Sequence, residues 1–175
     1  MAMTLDGSAS VTINNGTVLG ITRGTAVAST SGVSIDFNSI PSWAKRITVM
    51  FNGVSTNGTS IPLIQLGTGG VPTTTGYVST SSEVYTAAAT NTSTAGFNIY
   101  FDNAGYIFSG SYTFVNVSGN IWVGSSVTSS QAVLAVTTIS AGVVTLSGAL
   151  NMVRLTTAGG TNTFDSGSVN IMYEG

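Results

Sequence analysis

Arg46-Ile47-Thr48-Val49-Met50-Phe51 alternates along its length, preceded by Ile40-Pro41-Ser42-Trp43-Ala44-Lys45 and followed by Asn52-Gly53. Arg46, Thr48 and Met50 fall on one side, Ile47, Val49 and Phe51 on the other. A period of two is the mark of a half-buried β-strand. Pro41 sets a turn before the strand, and Asn52-Gly53 carries turn chemistry after it. Trp43 stands where a large ring would seal one end of a core, against the Ile47/Val49/Phe51 face. The stretch predicts a central strand of an all-β domain.

Outward from that strand the same pattern recurs. Thr25–Ser29 and Val33–Phe37 precede it. Ile61–Leu66 follows it, with Pro62 marking an edge or first position because proline cannot donate to a ladder. Gly67–Gly76 reads as a loop, Gly76–Ser79 as a short strand, and Ser82–Ala95 as a low-charge Ala/Thr/Ser stretch in which Tyr85-Thr86-Ala87-Ala88-Ala89 could form a helical turn. Then come Phe97–Phe101, Tyr106–Phe108, Tyr112–Val117, Ile121–Ser126, Gln131–Thr137, Val143–Leu146, Leu150–Thr156 and Ser168–Tyr173. Roughly ten short strands with turn signals every 8–12 residues predict a β-sandwich of jelly-roll-like form. No fixed-period repeat argues for a solenoid or propeller. Residues 1–20 read as a separate arm or hairpin, with Ser8–Ile13 one strand, Asn14-Asn15-Gly16 a tight turn and Thr17-Val18-Leu19 its return. Residues 21–175 read as one sandwich domain.

The chain has 175 residues, of which 6% are charged, against roughly 25% in an ordinary globular protein. Ser, Thr, Gly and Asn occupy the surface role of Lys and Glu. Such a surface offers little repulsion between copies and suits packing in an assembly. A net charge of −2 excludes phosphate-backbone binding, which needs clustered Lys and Arg. With no cysteine there is neither a disulfide nor a thiolate metal site. Mean hydropathy is +0.39, yet no apolar run approaches the roughly 20 residues of a membrane helix. Met1–Asp6 lacks signal-peptide character. A soluble protein without membrane insertion is expected.

Histidine is absent too, which removes the most versatile general base. The six carboxylates, Asp6, Asp36, Glu83, Asp102, Asp165 and Glu174, are spread over turns and strand ends. A glycosidase needs two of them facing one cleft; Asp36 with Asp165 is the pair that folding would have to join, and solvated turn positions are the plainer reading. Lys45-Arg46 reads as capping the strand entry or pairing with a neighbouring carboxylate rather than as part of a Ser–Lys device. Asp102-Asn103 lacks the spacing of a calcium loop, and Gly67-Thr68-Gly69-Gly70 has neither the lysine nor the helix of a phosphate loop. No catalytic residue, metal or cofactor is expected. Among the aromatics Tyr77, Tyr85, Tyr100, Tyr106, Tyr112, Trp122 and Tyr173, most belong in a core or interface. Tyr77 and Tyr85 flank loop-like segments and are the candidates for stacking on a host glycan.

Three segments carry a resemblance. They are Arg23–Phe37 (RGTAVASTSGVSIDF), Ile40–Ser55 (IPSWAKRITVMFNGVS), and Val153-Arg154-Leu155-Thr156 together with Phe164–Glu174 (FDSGSVNIMYE). These blocks resemble the distal domains of tail fibres and small virion structural proteins of tailed bacteriophages. The resemblance runs from Arg23 onward and is stronger at the ends than over Tyr77–Val136, where receptor-contact loops would vary. It implies a virion component at the particle surface, a homotrimer in tail fibres, with other phage virion proteins as partners and no catalytic residues. A tail fibre carries a long shaft upstream, whereas about 20 residues stand here, so capsid decoration is the alternative and a polysaccharide depolymerase a distant third. Two strands without Lys or Pro read as unprotected edges for contact between copies: Ser8–Ile13, through Val11 and Ile13, and Ser168–Tyr173, through Val169, Ile171 and Tyr173.

Overall fold

The computed structural model describes residues 11–13, 16–18, 20–85, 89–130, 132–133 and 135–175, which form sixteen strands and no helix. In chain order these are β1 (Val11–Ile13), β2 (Gly16–Val18), β3 (Thr22–Arg23), β4 (Val27–Ala28), β5 (Ile35–Phe37), β6 (Arg46–Thr56), β7 (Pro62–Thr68) and β8 (Val71–Pro72). They continue with β9 (Val78–Val84), β10 (Ala89–Ser93), β11 (Phe97–Asn98), β12 (Phe108–Ser118), β13 (Ile121–Ser130), β14 (Val136–Thr145), β15 (Met152–Thr157) and β16 (Phe164–Glu174). Strands β1 and β2 pair only with each other, as the expected hairpin. The other fourteen form a sandwich of two antiparallel sheets. The wide sheet runs β10-β9-β14-β13-β12-β6-β16-β3, with β4 also on β16; the narrow one runs β11-β7-β15-β5, with β8 also on β7.

The alternating stretch is the centre of the wide sheet. Ile47, Val49, Phe51 and Val54 of β6 are buried, and β6 lies between β12 and β16. Asn52-Gly53 is not a turn, however. The strand continues to Thr56, and Gly53 adopts a φ of +62° where the pairing with both neighbours slips register. Only glycine takes that conformation without a side-chain clash, so the Asn-Gly signal marks a bulge here. The expected Tyr85–Ala89 helical turn falls mostly outside the described residues. β9 and β10 form a hairpin in that region, with Ala89 already paired to Glu83; residues 86–88 lie outside the described set. Pro62 opens β7, as its missing N–H requires, but β7 is an interior strand between β11 and β15. Trp43 is half-buried rather than enclosed, its ring tilted against Tyr173 at 5.6 Å.

The final strand does not match its expected role. β16 is paired along one side to β6 and along the other to β3 and β4, so it presents no free edge. Val169 and Ile171 are core residues, and Tyr173 is half-buried against Trp43. A strand without lysine or proline is open to partners only when nothing inside the chain already pairs with it. The side chains of Val11 and Ile13 lie outside the described residues.

Aromatic rings fill the space between the sheets. Tyr112 and Phe114 of β12 stack at 4.6 Å and 5°, and Phe97 of β11 meets Tyr77, Tyr112 and Phe114 at 5.1, 5.6 and 4.9 Å. These rings lie against β13 and β14 and need small residues beneath them. A Cβ on Gly124 would stand 2.6 Å from the Phe114 ring, and one on Gly142 would stand 3.0 Å from Phe97. The inward positions that follow are Ser126, Thr128 and Ser130 on β13, Thr138 and Ser140 on β14, and Ser79 and Ser81 on β9, all buried. Their hydroxyls are largely paired across strands or to neighbouring segments. Ser126 bonds Ser140, Thr128 bonds Thr138 at 2.6 Å, and Ser79 donates to Asn98 Oδ1 at 2.7 Å.

Candidate functional site

Strand directions sort the molecule into two ends. Register pairs Arg46 with Glu174 and Val115, and Ile121 with Thr145, so these positions share one end. Thr22 pairs with Tyr173 there, which puts Gly20 and Gly175 at that same end. Thr56, Phe108, Ser130, Val136, Val84 and Ala89 mark the opposite end. Connections 57–61, 99–107 and 158–163 emerge at that second end.

The loop end holds the largest meeting of ionisable groups. Tyr106 is buried beside Phe101 at 5.4 Å, and its hydroxyl donates to Glu83 Oε1 at 3.0 Å. Glu83 is the last inward-facing residue of β9 and is itself buried. Tyr100 donates to Asp102 Oδ2 at 3.2 Å. Burial, then the hydrogen bond and charge of Glu83, push the Tyr106 hydroxyl up to about 12, with Asp102 and Tyr85 adding to the rise. Tyr100 is raised by burial first and then by Asp102 and Glu83. Both raised hydroxyls, those of Tyr100 and Tyr106, therefore lie within reach of the same two carboxylates. The segment that carries them is anchored by turn bonds: Asn103 Oδ1 accepts from the Gly105 N–H at 2.8 Å, and Ser130 Oγ accepts from the Ile107 N–H at 3.2 Å.

Tyr106 keeps its proton at neutral pH, and the carboxylates accept bonds from tyrosines rather than flank an open cleft. Tyr85 is 44% exposed at the rim. One exposed ring and the partly exposed Tyr100 beside hydrogen-bond acceptors suit a polyhydroxylated ligand, which offers apolar faces for stacking and hydroxyls to donate. Among the described residues, no group of three or more Asp and Glu side chains is placed to hold a metal ion, and no helix is long and apolar enough to cross a membrane.

Of the two tyrosines chosen from sequence, the structure keeps Tyr85 at the surface and removes Tyr77. Tyr77 is 1% exposed, packs edge-on against Phe97, and bonds Leu66 through its hydroxyl, accepting from the N–H at 2.8 Å and donating to the carbonyl at 3.2 Å. Its place beside a glycine-rich loop mimicked exposure, but the loop folds it under the narrow sheet. Tyr100, Tyr106 and Glu83 were the residues missed. The tyrosines bracket the turn Asp102-Asn103-Ala104-Gly105, which was legible; the contribution of Glu83 rests on strand β9, which was not.

The Asp36–Asp165 pair does not assemble into a site. Asp36, on β5 of the narrow sheet, receives both Arg154 Nε and Nη2 at 2.7 Å, whereas Asp165 is exposed on β16 of the wide sheet. Beside that ion pair runs a groove of 370 Å³ lined by Ser34, Gln65, Thr74, Arg154 and Thr156 among others. Its strongest donors are occupied, Arg154 by Asp36 and Gln65 by the Ala95 carbonyl at 2.9 Å. Arg46 meets Glu174 at 3.3 Å, the carboxylate pairing expected of the Lys45-Arg46 step. No protein-family model, curated protein or solved structure matches this chain.

Proposed function

We propose that this chain is a non-enzymatic structural component of a phage particle, a tail-fibre or receptor-binding domain exposed at the virion surface. The observation that carries the reading is the opposition of the two ends. Thr22 and Tyr173 pair at one end, which would be left for contact with other virion proteins, and the tyrosine–carboxylate cluster lies at the other. The resemblance of Arg23–Phe37, Ile40–Ser55 and Phe164–Glu174 to tail-fibre domains supports the same reading. The ligand is a host-surface glycan, met by Tyr85 and by Tyr100, and the working form is a homo-oligomer, a trimer in the tail-fibre setting.

Binding of the purified chain to immobilised bacterial surface polysaccharides tests this. Tyr85→Ala and Tyr100→Ala should each weaken binding at least about tenfold, the loss of one stacking or hydrogen-bonding group of 1.4 kcal/mol or more. Unchanged binding in both variants rejects the loop end as the contact, and steady release of reducing ends makes the protein a depolymerase instead. A second reading, capsid decoration, is favoured by one feature: the outer face of the wide sheet carries apolar side chains and no charge over β9, β12, β13 and β14.

A further inference from the structure

The outer face of the wide sheet is as rich in β-branched apolar side chains as a covered one. Inward, β13 places Trp122 and then Ser126, Thr128 and Ser130, and β14 places Thr138 and Ser140 between Val136 and Val144. Outward, the same strands place Ile121, Val123, Val127 and Ile139 in solvent, joined by Val78 and Val84 of β9 and Val115 and Val117 of β12. Val78 is 69% exposed and Val127 62%. Single exposed apolar residues need no explanation, but a contiguous patch does. These are contiguous by register. Val115 pairs with Val123, Val123 with Val143 and Val143 with Val78, a row of four valines across four strands. Four residues further along the strands, Val127 pairs with Ile139 and forms a second ridge.

Between the two ridges runs a row of small residues, Thr113, Ser125, Ala141 and Thr80, again in register. Ser111, Thr113, Ser125, Val127 and Ile139 line a shallow trough there. Ridge, trough and ridge at the spacing of alternate residues make a self-complementary surface: the Val127/Ile139 ridge of one copy fits the Ser125/Ala141 trough of another. The outward positions of β9, β12, β13 and β14 include no charged residue, so like copies do not repel and no oppositely charged partner is called for. Four strands from β12 to β9, spaced about 4.8 Å and about ten residues long, span roughly 19 by 33 Å. Two such faces bury on the order of 1,300 Å², within the range of a stable protein–protein interface.

We infer that copies of this chain associate through the outer face of β12, β13, β14 and β9, each copy covering the valine row and the Val127/Ile139 ridge of another. The inference gives a surface to the homo-oligomer of the proposed function and rests on that part of it alone. It also relocates the contact from the final strand, whose edges are already paired.

Sedimentation of the intact chain across the micromolar range tests it. The wild type should be a dimer or trimer. Val127→Asp combined with Ile139→Asp should be a monomer with an unchanged circular-dichroism spectrum. Because the chain has no cysteine, a single Val127→Cys thiol labelled with pyrene gives a second readout that leaves the fold intact: excimer emission at position 127, and none from Val33→Cys in the exposed bend that precedes β5. A monomeric wild type overturns this inference together with the oligomer, and leaves attachment through the loop end standing. An oligomer that survives both aspartates, or excimer emission only from position 33, overturns the face alone. If the aspartate variant fails to fold, the labelled cysteines decide.

Discussion

Within one sheet, the inner faces of β6 and β16 are mainly apolar, whereas those of β13, β14 and β9 carry a run of buried hydroxyls beside Trp122, Val136 and Val144, and valines and isoleucines stand among the hydroxyls outside. Ile47, Val49 and Phe51 of β6 and Val169 and Ile171 of β16 supply their own core. The inner faces of β13 and β14 are instead covered by rings from β11 and β12, so volume was already taken and small side chains were required. What is left inside are hydroxyls that bond each other across strands, chiefly Ser126 with Ser140 and Thr128 with Thr138. Their outward positions keep the β-branched residues that strands favour, and those residues have no cover within one copy. Burial of a strand face therefore follows from what lies over it, not from which of its faces is the more apolar.

The sharpest way to break this contrast is to remove the rings. Phe97→Ala takes away a fully buried side chain that touches three others, and should cost about 3–5 kcal/mol in denaturant unfolding. A loss below about 1 kcal/mol would mean that the hydroxyl side of the sheet does not depend on the aromatic layer. At the loop end, Tyr106→Phe leaves the buried Glu83 carboxylate short of its donor and should cost about 2 kcal/mol near neutral pH. The same variant has a pH signature. The Tyr106 hydroxyl is held at about 12 in the folded chain against 10.0 for an ordinary tyrosine. Its stabilising share is thus fully present below pH 10 and is lost as pH rises toward about 12. Tyr77 and Tyr112, both raised by burial, act in the same direction. Alkaline loss of stability should accordingly be shallower in Tyr106→Phe than in the parent, and equal slopes would reject the Tyr106–Glu83 bond.

The hydroxyl pairs respond more gently. Thr138→Val leaves the Thr128 hydroxyl buried without its partner and should cost about 1 kcal/mol, while the double variant Thr128→Val/Thr138→Val should regain most of it. A double variant no better than the single one shows that the pair does more than satisfy itself. Smallest of all, Val123→Thr on the outer face should shift the unfolding free energy of the monomeric form by less than about 0.5 kcal/mol. A larger loss at low protein concentration would show that the valine row already has cover within one chain.

The amino-acid sequence by itself determined the β class, the strand Arg46–Phe51 as the centre of the fold, the turn at Asp102–Gly105 and the first position of Pro62 in β7. Each follows from local alternation or from backbone chemistry within a few residues. Tertiary structure decided which face of each later strand is inside. Ile121–Ser130 alternates in either phase, and nothing local states that Phe97 and Phe114 will lie over Gly124 and Gly142. The same long-range packing buried Tyr77, left Tyr85 at the rim, brought Glu83 to Tyr106 across 23 positions, and closed both sides of the final strand. Asn52-Gly53 shows the limit most plainly. The glycine's positive φ was readable, but whether it turns the chain or bulges a continuing strand depends on β12 and β16 holding both sides of β6, and only the folded chain supplies those neighbours.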